Sequence, residues 1–147
     1  MKKNPEIYAY VLMRNDLASL GAGKASAHAH HAGTVMSYQI RKHGNKAQKA
    51  VFYEWEESAF GAGVCIVLEC DEETMKWCVS KINELKTHGC AAGVWHDPTY
   101  PSTTARGFCL MPVDVCGWAI GDKDLLKPIL GDLPLMNNSE WKRTESE

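Results

Sequence analysis

The sequence predicts an α/β fold of three layers, α/β/α, with helices on both faces of a four- or five-stranded, mostly parallel mixed sheet. Three observations carry that expectation. Short apolar runs rich in β-branched and aromatic residues alternate with segments whose apolar residues recur every three or four positions. The first run, Ile7 to Met13, is apolar on both faces, as a central strand covered on two sides must be. The length of 147 residues, with 45% hydrophobic and 23% charged residues, suits one core and is too short for two ordinary domains. The expected domain covers 1–136, and 137–147 reads as a frayed polar tail.

The elements follow in order. Ile7 to Met13 ends at the polar Arg14-Asn15-Asp16, and in open α/β sheets ligands bind at that end of a strand. Gly21-Ala22-Gly23 leads into a helix from Lys24 to about His43, with Ala25, Ala29, Ala32, Met36 and Ile40 as its buried stripe. Gly44-Asn45 ends it, and a short helix from Lys46 carries Phe52 and Trp55 beneath the sheet before a turn at Gly61-Ala62-Gly63. Val64 to Cys70 is a second buried strand. Asp71 caps the next helix, whose Met75, Cys78, Val79, Ile82 and Leu85 have helical spacing and which Gly89 stops. Ala91 to Trp95 is a third strand delivering His96-Asp97, and the proline- and hydroxyl-rich Pro98 to Thr104 reads as a loop. Phe108 to Met111 and Val113 to Ala119 form one bent strand or a hairpin split at Pro112. Asp122 caps a helix from Lys123 to Leu130, Gly131 ends it, and Leu133 to Met136 docks at the sheet edge.

The chemistry concentrates between Arg14 and Ala32. A helix start after a glycine loop leaves backbone N–H groups unpaired and favours an anion, a preference Lys24 sharpens. Lys24, His28 and His31 fall on one face near that start, while His30 points elsewhere. The loop is not a P-loop, because Ala18 stands where the first glycine belongs and Ala25 follows Lys24. Ser26 likewise breaks the dinucleotide fingerprint. His28 and His31 are one turn apart, but zinc needs three or four ligands and Lys24 would repel a dication, so no metal is expected. No GxSxG element is present. A lysine at a helix start, an imidazole and a carboxylate at a strand end suit water-mediated hydrolysis with electrostatic stabilisation of an oxyanion.

Composition adds boundaries. The six cysteines form no CxxC pair and read as buried free thiols in a reducing compartment. With no signal peptide and no membrane span, the expected location is cytoplasmic. Residues 1–53 hold eight Lys/Arg against two acids, a net of +6, which leaves −8 for the remainder. Such asymmetry fits either a polyanionic partner for the basic half or an ordinary solvated helix end around Arg41 to Lys49.

In the order of its motifs, the chain resembles the archaeal- and eukaryotic-type (class II) peptidyl-tRNA hydrolases as a divergent member. That family carries R-N/T-D-L at a strand end and then G-K-G-K-x-A-A-Q-C-x-H-A. Here these stand as Arg14-Asn15-Asp16-Leu17 and as Gly21 to Ala32, with Ala22 in place of the first lysine and His28 in place of the glutamine. The family's D-x-x-x-T loop is similar to Asp97-Pro98-Thr99-Tyr100-Pro101, with its threonine matched by Thr99, Thr103 or Thr104. Its closing strand and G-x-L-x-L tail are similar to Val115 to Ala119 and Gly131 to Leu135. The similarity in order runs over residues 7–136.

The resemblance implies hydrolysis of the ester joining a peptide or acyl group to the 3′ end of tRNA, with Lys24, His28 and Asp97 as catalytic residues. Lys24 stabilises charge or grips the tRNA end, and Asp97 orients or activates water. Arg14, Asn15, His31 and Thr99 are then substrate-binding residues. No metal or organic cofactor is implied. The expected partner is peptidyl-tRNA and no membrane, and a homodimer is left open. The alternatives are an inactive tRNA-end binding protein of the same fold and a metal-assisted small hydrolase using His28 and His31.

Overall fold

The computed structural model describes residues 6–136; the expected tail lies outside the described residues. The fold is α/β. Strand β1 (Ile7–Arg14) lies inside a four-stranded sheet, between β2 (Cys65–Cys70) and β4 (Gly107–Asp122), with β3 (Ala91–Thr104) outside β4. β1, β2 and β3 run in one direction and β4 opposes them, so β1–β2 is parallel while β1–β4 and β3–β4 are antiparallel. The sheet is mixed as expected, but its pairings are not mostly parallel. The reason is local: β3 returns as β4 through a tight turn at Ala105-Arg106, where Gly107 takes a φ of +111°.

Helices α1 (Ala22–His43) and α2 (Lys46–Glu57) cover one face, and α3 (Glu72–Asn83) and α4 (Lys123–Leu130) the other. β1 shows why its sequence is apolar throughout: Ala9, Val11 and Met13 pack toward α1 and α2, whereas Tyr10 and Leu12 pack toward α3 and α4. α1 buries Ala25, Ala32, Met36 and Ile40. The Asn45 side chain accepts from the Gln48 backbone N–H at 2.8 Å and Gln48 returns the bond at 2.9 Å, a capping box that starts α2 one residue after α1 is stopped at Gly44. Phe52, fully buried, is the anchor of α2, and its truncation to alanine costs about 3–5 kcal/mol. Asp71 caps α3 on the Thr74 N–H at 2.7 Å, and Asp122 caps α4 on the Asp124 N–H at 2.9 Å. α3 stops at Asn83; a further 3-10 turn, Lys86–His88, precedes Gly89 at φ +86°, where a Cβ would meet Val51 at 2.4 Å. Leu133 to Met136 docks on the outer edge of β2, with Glu69 N–H donating to Pro134 O and Met136 N–H to Val67 O, each at 3.0 Å.

Two further expectations are corrected. Pro98 to Thr104 is not a loop but the second half of β3; of the two alternatives for Phe108 to Ala119, the single strand is the one found, β4 continuing through Pro112. The prolines fit because β3 is an edge strand. A register irregularity between Asp97 and Tyr100 absorbs Pro98 and stands opposite Pro112, while Pro101, paired with Leu110, turns its donorless nitrogen away from β4. Of the six free cysteines only four are buried; Cys65, at the start of the edge strand β2, and Cys109, on the projecting β3–β4 hairpin, are exposed. Among the described residues no helix is long and apolar enough to cross a membrane.

Candidate active site

The C-terminal end of β1, the start of α1 and the middle of β3 meet at one crevice. Gly21 is the N-cap of α1 and supplies no side-chain bond, so the first-turn N–H groups remain available. One turn on, His28 is buried against β3 at 6% exposure. The Trp95 indole N–H donates to His28 Nδ1 at 3.0 Å. An indole nitrogen can only donate, so Nδ1 is the acceptor and the imidazole proton sits on Nε2. That Nε2 faces Asp97 Oδ2 at 3.9 Å, longer than a hydrogen bond, so the two groups are close without being bonded to each other. Burial depresses the His28 pKa below its ordinary 6.5 and nearby Lys24 and His31 push the same way, while Asp97 opposes them. The ring is therefore a neutral N–H donor at pH 7.

Asp97 is itself oriented. Its Oδ1 accepts from the Thr99 N–H at 2.9 Å and lies 3.4 Å from the Thr99 hydroxyl, which leaves Oδ2 for the crevice. Of Thr99 and Thr103, Thr99 is thus the one that touches Asp97; the backbone N–H of Thr103 is at 3.5 Å from Ser19 Oγ, further along the hairpin, and the Thr104 side chain lies outside what is described. Lys24 Nζ donates to Pro101 O at 2.5 Å and stands 5.0 Å from the centre of the Tyr100 ring. Tyr100, fully buried, lies 5.6 Å from the His28 ring and donates its hydroxyl to Ala18 O at 3.2 Å, tying the loop before α1 to β3. His31 is exposed at the rim, 5.4 Å from the Trp95 ring.

Lys24, His28, His31, Asp97 and Thr99 are therefore brought together. Arg14 is not. It faces α3, where its guanidinium bonds Asp16 Oδ1 at 2.8 Å, Glu72 Oε2 at 3.2 Å and Asp114 O at 3.0 Å, and its side chain is 11% exposed. Burial works against this charge, the carboxylates outweigh it, and the pKa ends above its ordinary value. Arg14 is a pin between strand ends, not a free substrate contact. Asn15 is exposed at the end of β1, its backbone N–H donating to Cys70 O at 2.9 Å. Trp95 and Tyr100 are site residues that the sequence reading missed. The available signal was their spacing from Asp97 on one strand, which became readable only once Pro98 to Thr104 was known to be extended. The basic residues Arg41, Lys42, Lys46 and Lys49 gather where α1 meets α2, about 25 Å from Lys24 by the helical rise. Arg41 is paired with Glu56 at 2.5 Å. Among the described residues no group of three His, Cys, Asp or Glu side chains is placed to hold a metal ion.

No protein-family model matches the chain, and no curated protein matches it closely enough to count as a relative.

Proposed function

We propose that the protein hydrolyses the ester between a peptidyl or acyl group and the 3′ end of tRNA. The observation that carries this reading is the pairing across the crevice of a neutral His28 Nε2–H with Asp97 Oδ2, beside an uncapped helix start bearing Lys24. Asp97 Oδ2 takes a proton from water as its oxygen attacks the ester carbonyl carbon. The carbonyl oxygen becomes an oxyanion, stabilised by the His28 N–H, the first-turn N–H groups of α1 and the Lys24 charge. Collapse of the intermediate breaks the bond between carbonyl carbon and ribose oxygen, and the Asp97 carboxyl returns its proton to that leaving oxygen. No cofactor enters this sequence. Lys42, Lys46 and Lys49 near the α1–α2 junction would supply further phosphate contacts to an acceptor stem running along α1. The free cysteines suit the cytoplasm, where such a substrate occurs.

The engagement of the Lys24 ammonium with Pro101 O favours a second reading, a tRNA-end binding protein without turnover. One assay separates the two: purified protein is mixed with peptidyl-tRNA and release of the peptide is followed. On the first reading wild type cleaves, and Lys24→Ala and Asp97→Asn each lose about 100-fold or more in rate. Full activity in both variants overturns the site; binding without release supports the second reading.

A further inference from the structure

On the other face of the sheet a cavity of about 420 Å3 lies between α4, the first half of β1 and the segment after Gly131. Small-molecule sites span about 300–1,000 Å3. Leu68, Leu130 and Leu133 supply hydrocarbon, and Tyr8, Tyr10, Lys123 and Lys127 supply polar groups.

Tyr10 is the informative member. Only 9% of it is exposed, and among the described residues its hydroxyl takes no hydrogen-bond partner. No sealed side-chain nitrogen or oxygen in the described residues lacks a partner, so the Tyr10 oxygen opens onto the cavity space. Burial, reinforced by Tyr8 and Asp122 and opposed by Lys123, raises its pKa, and the phenol stays a neutral donor.

The charges around it are unevenly used. Glu6 is held by Lys123 and by the Tyr8 hydroxyl, the latter at 3.1 Å, and Lys123 stands 5.8 Å from the centre of the Tyr8 ring. Asp124, at the rim, donates its backbone N–H to Asp122, and its carboxylate acts on the Lys123 charge. Lys127, one turn beyond Lys123 on the cavity side of α4, has no ion pair among the described residues. An ammonium with no ion pair and a phenol O–H open to the cavity, beside leucine side chains, are complementary to an acid group carried on an apolar body.

We infer that this cavity binds a small organic anion, a carboxylate on an aromatic or branched hydrocarbon body, with Tyr10 donating to the acid group and Lys127 neutralising it. The site is independent of the crevice at His28.

The test titrates the full chain with phenylacetate and 4-phenylbutyrate, with phenylacetamide as the uncharged control, and follows binding by saturation-transfer NMR and by thermal unfolding. Tyr10→Phe removes only a hydroxyl that has no protein partner, and Lys127→Gln changes an exposed side chain, so both variants fold. The expected result is saturable binding of at least one carboxylate, weakened about tenfold in each variant and about tenfold weaker again for the amide. Absence of saturable binding by both carboxylates overturns the inference, as does undiminished binding in both variants or equal binding of the amide.

Discussion

β3 carries two adjacent residues, His96 and Asp97, that enter two different histidine–carboxylate pairs on opposite faces of the sheet. Toward α3, His96 Nδ1 lies 2.8 Å from Asp114 Oδ1, and Lys76 Nζ lies 3.1 Å from Asp114 Oδ2. His96 is 54% exposed there. Toward α1, Asp97 faces the buried His28 at 3.9 Å, with an indole on the far nitrogen of the ring. The first pair is a closed surface network, satisfied in itself. In the second the two groups are not bonded to each other, and each has a partner of its own, Trp95 on His28 Nδ1 and Thr99 on Asp97 Oδ1. Burial and separately held partners, not the presence of histidine and acid, distinguish the candidate site from the surface salt bridge.

The largest expected effect lies at the carboxylates. On the proposed function, Asp97→Asn lowers peptide release from peptidyl-tRNA by about 10²–10⁴-fold, whereas Asp114→Asn leaves it within about twofold; equal losses would erase the contrast between the pairs. Next comes the imidazole. His28→Ala costs about 100-fold and strands the Trp95 N–H, but His28→Gln recovers most of the rate, because an amide can accept from Trp95 through its oxygen and donate toward Asp97 through its nitrogen. A glutamine variant as slow as the alanine variant refutes a donor role for His28.

The third effect is on pH dependence. The folded His28 pKa lies below 6.5, so the neutral donor persists below that pH and the acid limb of the rate profile falls lower than an ordinary histidine would place it. The same sign applies to stability: as pH drops below 6.5 the unfolded chain binds the proton before the folded one does, and folding weakens. Protonation needs Nδ1, which Trp95 occupies. Trp95→Phe frees it and moves the acid limb upward by about one pH unit, measured in the same assay; an unmoved limb removes Trp95 from the mechanism.

The smallest effect belongs to the surface pair. Burial pushes the Asp114 carboxyl up, but its hydrogen bonds to His96 and Lys76 outweigh this and hold the pKa below 3.8. Its contribution is present above 3.8 and lost as pH falls through the folded value. Asp114→Asn therefore costs about 1 kcal/mol or less at pH 7, and thermal unfolding at pH 7 and pH 3 should show that difference shrinking in acid.

Much of the molecule was legible without coordinates, because its signals are local. The two-faced apolar run of β1, the stripe of α1, the caps at Asp71 and Asp122 and the stop at Gly131 depend on neighbours within a turn or a strand, and each lies where its residues indicate. Lys24 and His28 share a helix face by the same periodicity. What only the tertiary structure decided is pairing across the chain. Strand direction around β4, the survival of Pro98 and Pro101 in an edge strand, the commitment of Arg14 to Asp16 and Glu72, and the Trp95 bond that sets the His28 tautomer all join residues remote in sequence. Such contacts are chosen by burial and by the satisfaction of polar groups in three dimensions, and no local pattern encodes which distant partner a buried nitrogen will find.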